Sequence, residues 1–476
     1  MGKTLVLKEL RSHLVSFRFL AGFVLLFVLV VVTAVVLTND YVRKLDEYSA
    51  RQAEIDRYLS QYAHFNRIGA VLRPSQPPIP FWALVRGLSA DVNRDGFDDD
   101  PLPVMFPLID LTFIVGVLIS LLALILTYDA VCGEKEDGTL KLMLANGLPR
   151  SKIILAKAAG AGLTLAGPLV VSLAAGMLVI LLHPKVDWSG IDWAALGLIV
   201  AGAAIYGGVF LLVGILVSSV HRSSASSIMT SLFIWTLLVL VVPNLSPYVA
   251  SFLSPAPSRI MVARETERLG DTDRDDLGNK LQARYRAEVL QEYPVLAERL
   301  SEAEVKRRVA EDPLYRKAYE ARRAAAERAW NEANRIQSAK IDEIRDDLRR
   351  KEEAQTGLAR AISMISPLAD FSYLATDLSS TGTRNQVHFG RLARLWSRSF
   401  DDDYRPKKVA AMRAKDPTVD TWNTAVDMSD APRFRYAEEG LGGRIQAALP
   451  PFGVLAGCCV VLFAAAYAAF IRYDAR

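Results

Sequence analysis

Six nearly uncharged apolar runs, at residues 19–37, 108–128, 158–182, 193–220, 226–243 and 447–471, leave this chain few folds to adopt. Each is about long enough to cross the roughly 30 Å hydrocarbon core of a bilayer as a helix. No water reaches that core, so every backbone N–H and C=O must be satisfied within the segment, which selects the α-helix. Hydrophobic residues make up 51% of the chain. The mean hydropathy is nevertheless only +0.20, because strongly charged stretches separate the runs. The expected fold class is an all-α integral membrane protein: six transmembrane helices with a mostly helical extracytoplasmic domain. Pro168 is expected to kink the third run. Gly197, Gly202, Gly207, Gly208 and Gly214 give the fourth a small-residue face for close packing.

Lysine and arginine set the orientation. Residues 1–18 carry Lys3, Lys8, Arg11 and Arg18 interleaved with Leu5, Leu7, Leu10, Leu14 and Phe17. That pattern predicts an amphipathic helix on the cytoplasmic membrane surface, in contact with lipid. The stretch 129–157, the His221-Arg222 turn and the C-terminus are also basic and fall on the same side, the cytoplasm. Both termini are then cytoplasmic, and 38–107 and 244–446 lie outside. No small-x-small cleavage site follows the first run, which reads as an uncleaved anchor. Within 244–446, Leu281, Tyr285 and Val289 mark one helix, and Tyr315, Tyr319, Trp330, Ile341 and Leu348 a longer one over about 312–353. Residues 361–378 are semi-apolar but include Pro367 and Asp370, and are expected at the membrane interface.

Several function classes are disfavoured. A net charge of +4 is too small to suggest nucleic acid. The five histidines are scattered, and the three cysteines (Cys132, Cys458 and Cys459) form no disulfide framework and no zinc cluster. No phosphate-cradling Gly-x-x-x-x-Gly-Lys-Ser/Thr loop is present, so a chain driven by ATP would need a separate ATPase. The spans carry almost no charge at their centres, which argues against proton- or ion-coupled transport.

The polar stretch 128–157 separates the second and third runs. Gly138 and Thr139 open a short helix, Leu140, Leu142, Met143 and Leu144 give it an apolar side, Asn146-Gly147 is a turn, and Pro149 restarts the chain. The residues alone read either as a plain connection or as a docking knob for a cytosolic partner. The run Asp129…Gly133-Glu134-Lys135-Glu136-x-Gly138-Thr139-Leu140, followed by Pro149-Arg150 and Lys157, closely resembles the signature of ABC-type exporter permeases, in the branch with large extracytoplasmic insertions. The resemblance implies that Glu134, Gly138, Thr139, Leu140, Leu144 and Arg150 form a coupling segment that seats on an ATPase subunit. It also implies that Glu134 holds the start of the coupling helix, with Arg150 or Lys157 as partner.

Asp91-x-Asn93-x-Asp95-Gly96 resembles the start of a calcium loop, with Asp99 as a further ligand. Position twelve is Leu102 rather than an acid, and the competing reading is an acidic turn before the second run. There is no catalytic constellation.

The resemblance implies the permease subunit of an ATP-driven exporter in the bacterial inner membrane, moving a hydrophobic, lipid-like or peptide substrate by alternating access. No cofactor is expected in this chain; ATP and Mg would sit on the ATPase partners, and calcium is the one ion considered. A second permease copy or paralogue, lipids and an extracytoplasmic protein are the other expected partners. The alternatives are a permease that drives an outer partner mechanically without transport, or a membrane anchor or sensor with no ATPase.

Overall fold

The computed structural model describes residues 2–61, 63–87, 109–145, 149–298, 300–415 and 419–472. Among them the architecture is helical, and the only β pairing is an isolated bridge between Ala63 and Val426. Six helices are long and apolar enough to cross a membrane: Phe17–Gln61, Leu111–Glu136, Arg150–Leu181, Gly190–Val220, Ser224–Leu253 and Leu441–Ile471. We refer to these as the first to sixth span helices.

The N-terminal helix, Gly2–Leu14, is separate from the first span helix. Ser16 makes the break: its hydroxyl donates to the His13 carbonyl at 2.7 Å and accepts the Phe19 N–H at 3.2 Å. One side chain thus closes one helix and caps the next. The first span helix runs for 45 residues, so the apolar run 19–37 is only its early part. Its far end joins a small second core in which Ile55, Leu59, Phe65, Ile68, Phe400 and Met428 are buried together.

The fourth span helix is the most enclosed, and the fifth and sixth turn most of their apolar surface outward. Its glycines explain the close approach of its neighbours. A Cβ at Gly202 would lie 2.7 Å from Leu374, one at Gly207 3.0 Å from Leu165, and one at Gly214 2.0 Å from Thr127. The second span helix widens to a π-helical turn at Ile114–Ile119, and the fifth does the same at Thr236–Val241. The Gly116 carbonyl in the first of these accepts the Tyr206 hydroxyl at 2.6 Å, giving the buried phenol a partner.

Residues 361–378, expected at the membrane interface, include a helix covered by the span helices. The helix Pro367–Leu378 packs on the fourth and sixth span helices, with Phe371, Leu374 and Ala375 buried. Its polar residues have local uses: Ser366 and Asp370 serve the helix N-terminus, where an acid in the first turn suits the dipole. Ser366 also donates to the Leu238 carbonyl. Arg444, only 3% exposed, closes the other end by donating to the carbonyls of Leu378 at 3.5 Å and Glu439 at 2.9 Å.

The chain divides into two compact units, 1–243 with 363–476, and 244–362. The stretch 244–446, expected as one outer domain, is therefore split after residue 362, and 363–446 belongs with the span helices. Within the smaller unit, the 51-residue helix Pro313–Ser363 lies against Arg274–Glu292. Tyr315 and Ala318 form a core with Leu296, flanked by Val289 and Leu290. Trp330 fills the space left by Gly278, where a Cβ would lie 2.6 Å from the indole. The aromatic stripe of the long helix thus finds its cover within this chain.

Candidate functional site

The end of the second span helix and the stretch after it contain two short helices. Cys132–Glu136 forms an elbow and Thr139–Ala145 a knob. Gly138 joins them with φ +71°, in the left-handed region that glycine enters at little cost. A Cβ there would meet nothing within 4 Å, so the demand is on backbone conformation and not on space. Leu140 points inward and is fully buried with Val131, Ile153, Ile154, Ile215 and Phe470. Thr139, Lys141 and Leu142 face outward. Leu144 lies in the knob helix.

Glu134 and Lys157 form the centre. Lys157 Nζ lies 2.8 Å from Glu134 Oε1 and 3.3 Å from Glu9 Oε1, and the lysine side chain is only 4% exposed. The N-terminal helix supplies Glu9, and Gly160 lets it come close: a Cβ at Gly160 would lie 2.7 Å from that of Glu9. Of the two partners expected for Glu134, the structure brings up Lys157. Arg150 is used differently. Its guanidinium donates to the carbonyls of Phe470, at 3.3 Å, and Ile471, tying the end of the sixth span helix to the start of the third.

The elbow's other polar groups hold the remaining span ends. The Val131 and Cys132 N–H groups donate to Ser218 Oγ at 2.9 and 3.0 Å. Lys135 Nζ donates to the carbonyls of Ser219 at 2.6 Å and His221 at 3.1 Å, where a cation suits the C-terminal end of the fourth span helix. Glu136 accepts the Ser224 hydroxyl at 2.6 Å and N–H at 3.0 Å at the start of the fifth span helix. Arg18, at the start of the first span helix, pairs with Asp129 at 2.8 Å and lies over the Tyr128 ring. Cytosol-expected ends of all six span helices are therefore fastened to one stretch of chain.

Sequence reasoning singled out Glu134, Gly138, Thr139, Leu140, Leu144 and Arg150, and all lie in this assembly. It missed Glu9, Lys135, Glu136 and Ser218 as fasteners. Glu9 carried one signal: it is the lone acid in a basic segment, four residues after Leu5. The expected calcium ligands Asp91, Asn93, Asp95 and Asp99 lie outside the described residues. Among the described residues no group of His, Cys, Asp or Glu is arranged to hold a metal.

A family model described as ABC-2 family transporter protein matches residues 3–475. Two curated proteins are similar over part of the chain, and both are named "Probable ABC transporter permease protein NosY". The one from Pseudomonas aeruginosa is 34% identical over 154 residues, covering 32% of this chain and 54% of that protein. The one from Stutzerimonas stutzeri is 37% identical over 125 residues, covering 26% and 45%. The chain thus spans about half the length of the curated relatives it matches.

Proposed function

The chain belongs to the family of ABC-2 transporter proteins, and from that premise we propose that it is the permease subunit of an ATP-driven exporter whose elbow and knob transmit the ATPase's motion to the span helices. It is a multi-pass membrane protein, and its family implies ATPase partner subunits. The finer reading places it in a bacterial inner membrane with both termini in the cytoplasm. It pairs with a second permease and carries a hydrophobic, lipid-like or peptide substrate outward by alternating access.

The observation that supports this reading best is the fastening of six span ends to residues 128–157. The knob offers Thr139, Lys141 and Leu142 to a partner while Leu140 anchors its other side. A push on the knob reaches the third span helix through Glu134 and Lys157. It reaches the fourth and fifth through Lys135 and Glu136, and the sixth through Arg150. Coupling needs rigid, contiguous contacts of this kind between a moving element and the bundle. When ATP and Mg bind the partner subunits, ATPase closure supplies the push; this chain contributes only the lever.

The second reading is a permease that drives an outer partner mechanically. The unit 244–362 favours it, because it has its own core and is far larger than a connection requires. Co-purification of the tagged chain with the cognate ATPase, followed by ATPase and substrate-export assays in vesicles, tests both. Export by the wild type supports the first reading. Stable assembly and ATP turnover with no exported compound supports the second. Failure to capture any ATPase overturns both and leaves the anchor or sensor.

A further inference from the structure

The groove between Arg274–Glu292 and Pro313–Ser363 holds a cationic hollow of about 360 Å³. Gln282 and Arg286 line it from one helix, and Tyr319, Arg322 and Arg323 from the other. Ala325 and Ala326 form part of the lining, and their small side chains leave the room. Every charged side chain lining it is an arginine.

Several other arginines of this unit find acids of the same chain. Arg268 meets Glu265 at 2.7 Å, Arg307 meets Glu304 at 2.6 Å, and Arg308 meets Glu298 at 2.9 Å. In the hollow, Arg286 and Arg322 have no ion pair among the described residues, while Arg323 pairs with Glu327. The Arg322 guanidinium lies 5.1 Å from the Tyr319 ring centroid, which holds it in place without neutralising it. Forked guanidiniums match carboxylates in bidentate pairs, and several held together favour a ligand with more than one acid. The hollow is polar and lies along an inter-helix groove, which accepts an extended chain. It differs from the mostly apolar, enclosed pocket usual for a small molecule.

We propose that this hollow is the docking site for an acidic segment of an extracytoplasmic protein, recognised through Arg286 and Arg322. The inference rests on the proposed orientation only for the compartment in which that protein is met.

The full-length chain, in nanodiscs of zwitterionic phosphatidylcholine that expose both faces, is titrated with a fluorescent hexaglutamate peptide. Hexaglutamine is the neutral control. Binding to hexaglutamate alone, weakening with added salt, is expected. Arg286→Ala with Arg322→Ala should lower affinity about tenfold or more, while Arg349→Ala, outside the hollow, leaves it unchanged. Arg286→Lys with Arg322→Lys keeps the charge but not the fork, and should give an intermediate loss. It carries the test if the alanine pair melts early. Unchanged binding in either double variant, an equal loss in Arg349→Ala, or full displacement by equimolar inorganic phosphate overturns the proposal. None of these readouts uses the ATPase, so failure here and failure of the exporter reading are separable.

Discussion

Lys157 Nζ lies 2.8 Å from Glu134 Oε1, and the two side chains are 4% and 17% exposed. A buried ion pair of this kind adds little net stability, but losing one partner strands a charge. Glu9, at 3.3 Å, is the second acid on the same ammonium, so the two removals are unequal.

Lys157→Met should be the more damaging change, because it leaves two buried carboxylates facing each other. It should fall at the high end of roughly 3–5 kcal/mol, and Glu134→Ala at the low end, because Glu9 still balances Lys157. Both should uncouple ATP hydrolysis from export. Combining Lys157→Met with Glu9→Gln and Glu134→Gln should recover much of the melting temperature. Melting and ATPase measurements on the purified complex check the ranking, and equal effects of the two single changes would contradict it.

Gly138→Ala should loosen the knob without creating a clash. Its φ of +71° costs a residue with a Cβ about 1–2 kcal/mol, and the open space around it offers no compensation. Gly138→Asn should be better tolerated, because asparagine enters that region more readily. Hydrogen exchange at 139–145, together with capture of the ATPase, distinguishes them. Identical exchange in wild type and Gly138→Ala would remove the glycine from the argument.

Gly160→Leu should displace the N-terminal helix. Even a Cβ there sits 2.7 Å from Glu9 Cβ, and Val6 O and Leu10 N follow at 3.6 Å. Amide exchange over 2–14 should rise while the third span helix stays protected. Unaltered protection of 2–14 would mean that the close helix crossing does not hold it.

Acid should loosen the same helix through His13. Burial is the main cause holding its imidazole below the ordinary value of 6.5; Glu9 raises it, Lys157 lowers it and Asp129 raises it. The docked state therefore favours neutral His13. The contribution to docking is complete above the ordinary value and is lost as pH falls through the lowered one. A spin label at Leu7 should gain mobility as pH falls below about 6.5 in wild type and much less in His13→Asn. Equal behaviour of the two would assign the transition to other groups.

In a cysteine-free background, single cysteines at Ser60 and Ala339 should label from outside the cell, and one at Ser151 should not. External labelling of Ser151 would invert the proposed orientation.

Long apolar runs and the placement of Lys and Arg carried the helical class and the number of spans, because chain-local hydropathy decides whether a segment partitions into a bilayer. The turn at Gly138 and the short apolar face around Leu140 were legible for the same reason, because both are local properties; the coupling role came from the family resemblance and is part of the proposal. Which cation Glu134 meets was not local. Arg150 and Lys157 were equivalent on paper, and packing decided between them by carrying Arg150 to the end of the sixth span helix and burying Lys157 beside Glu9. Residues 361–378 show the same limit. Pro367 and Asp370 made the segment too polar to span, and its burial against surrounding helices, with Arg444 at its end, was not a local property. Hydropathy measures what a residue costs alone, and only tertiary structure supplies the partner that changes the cost.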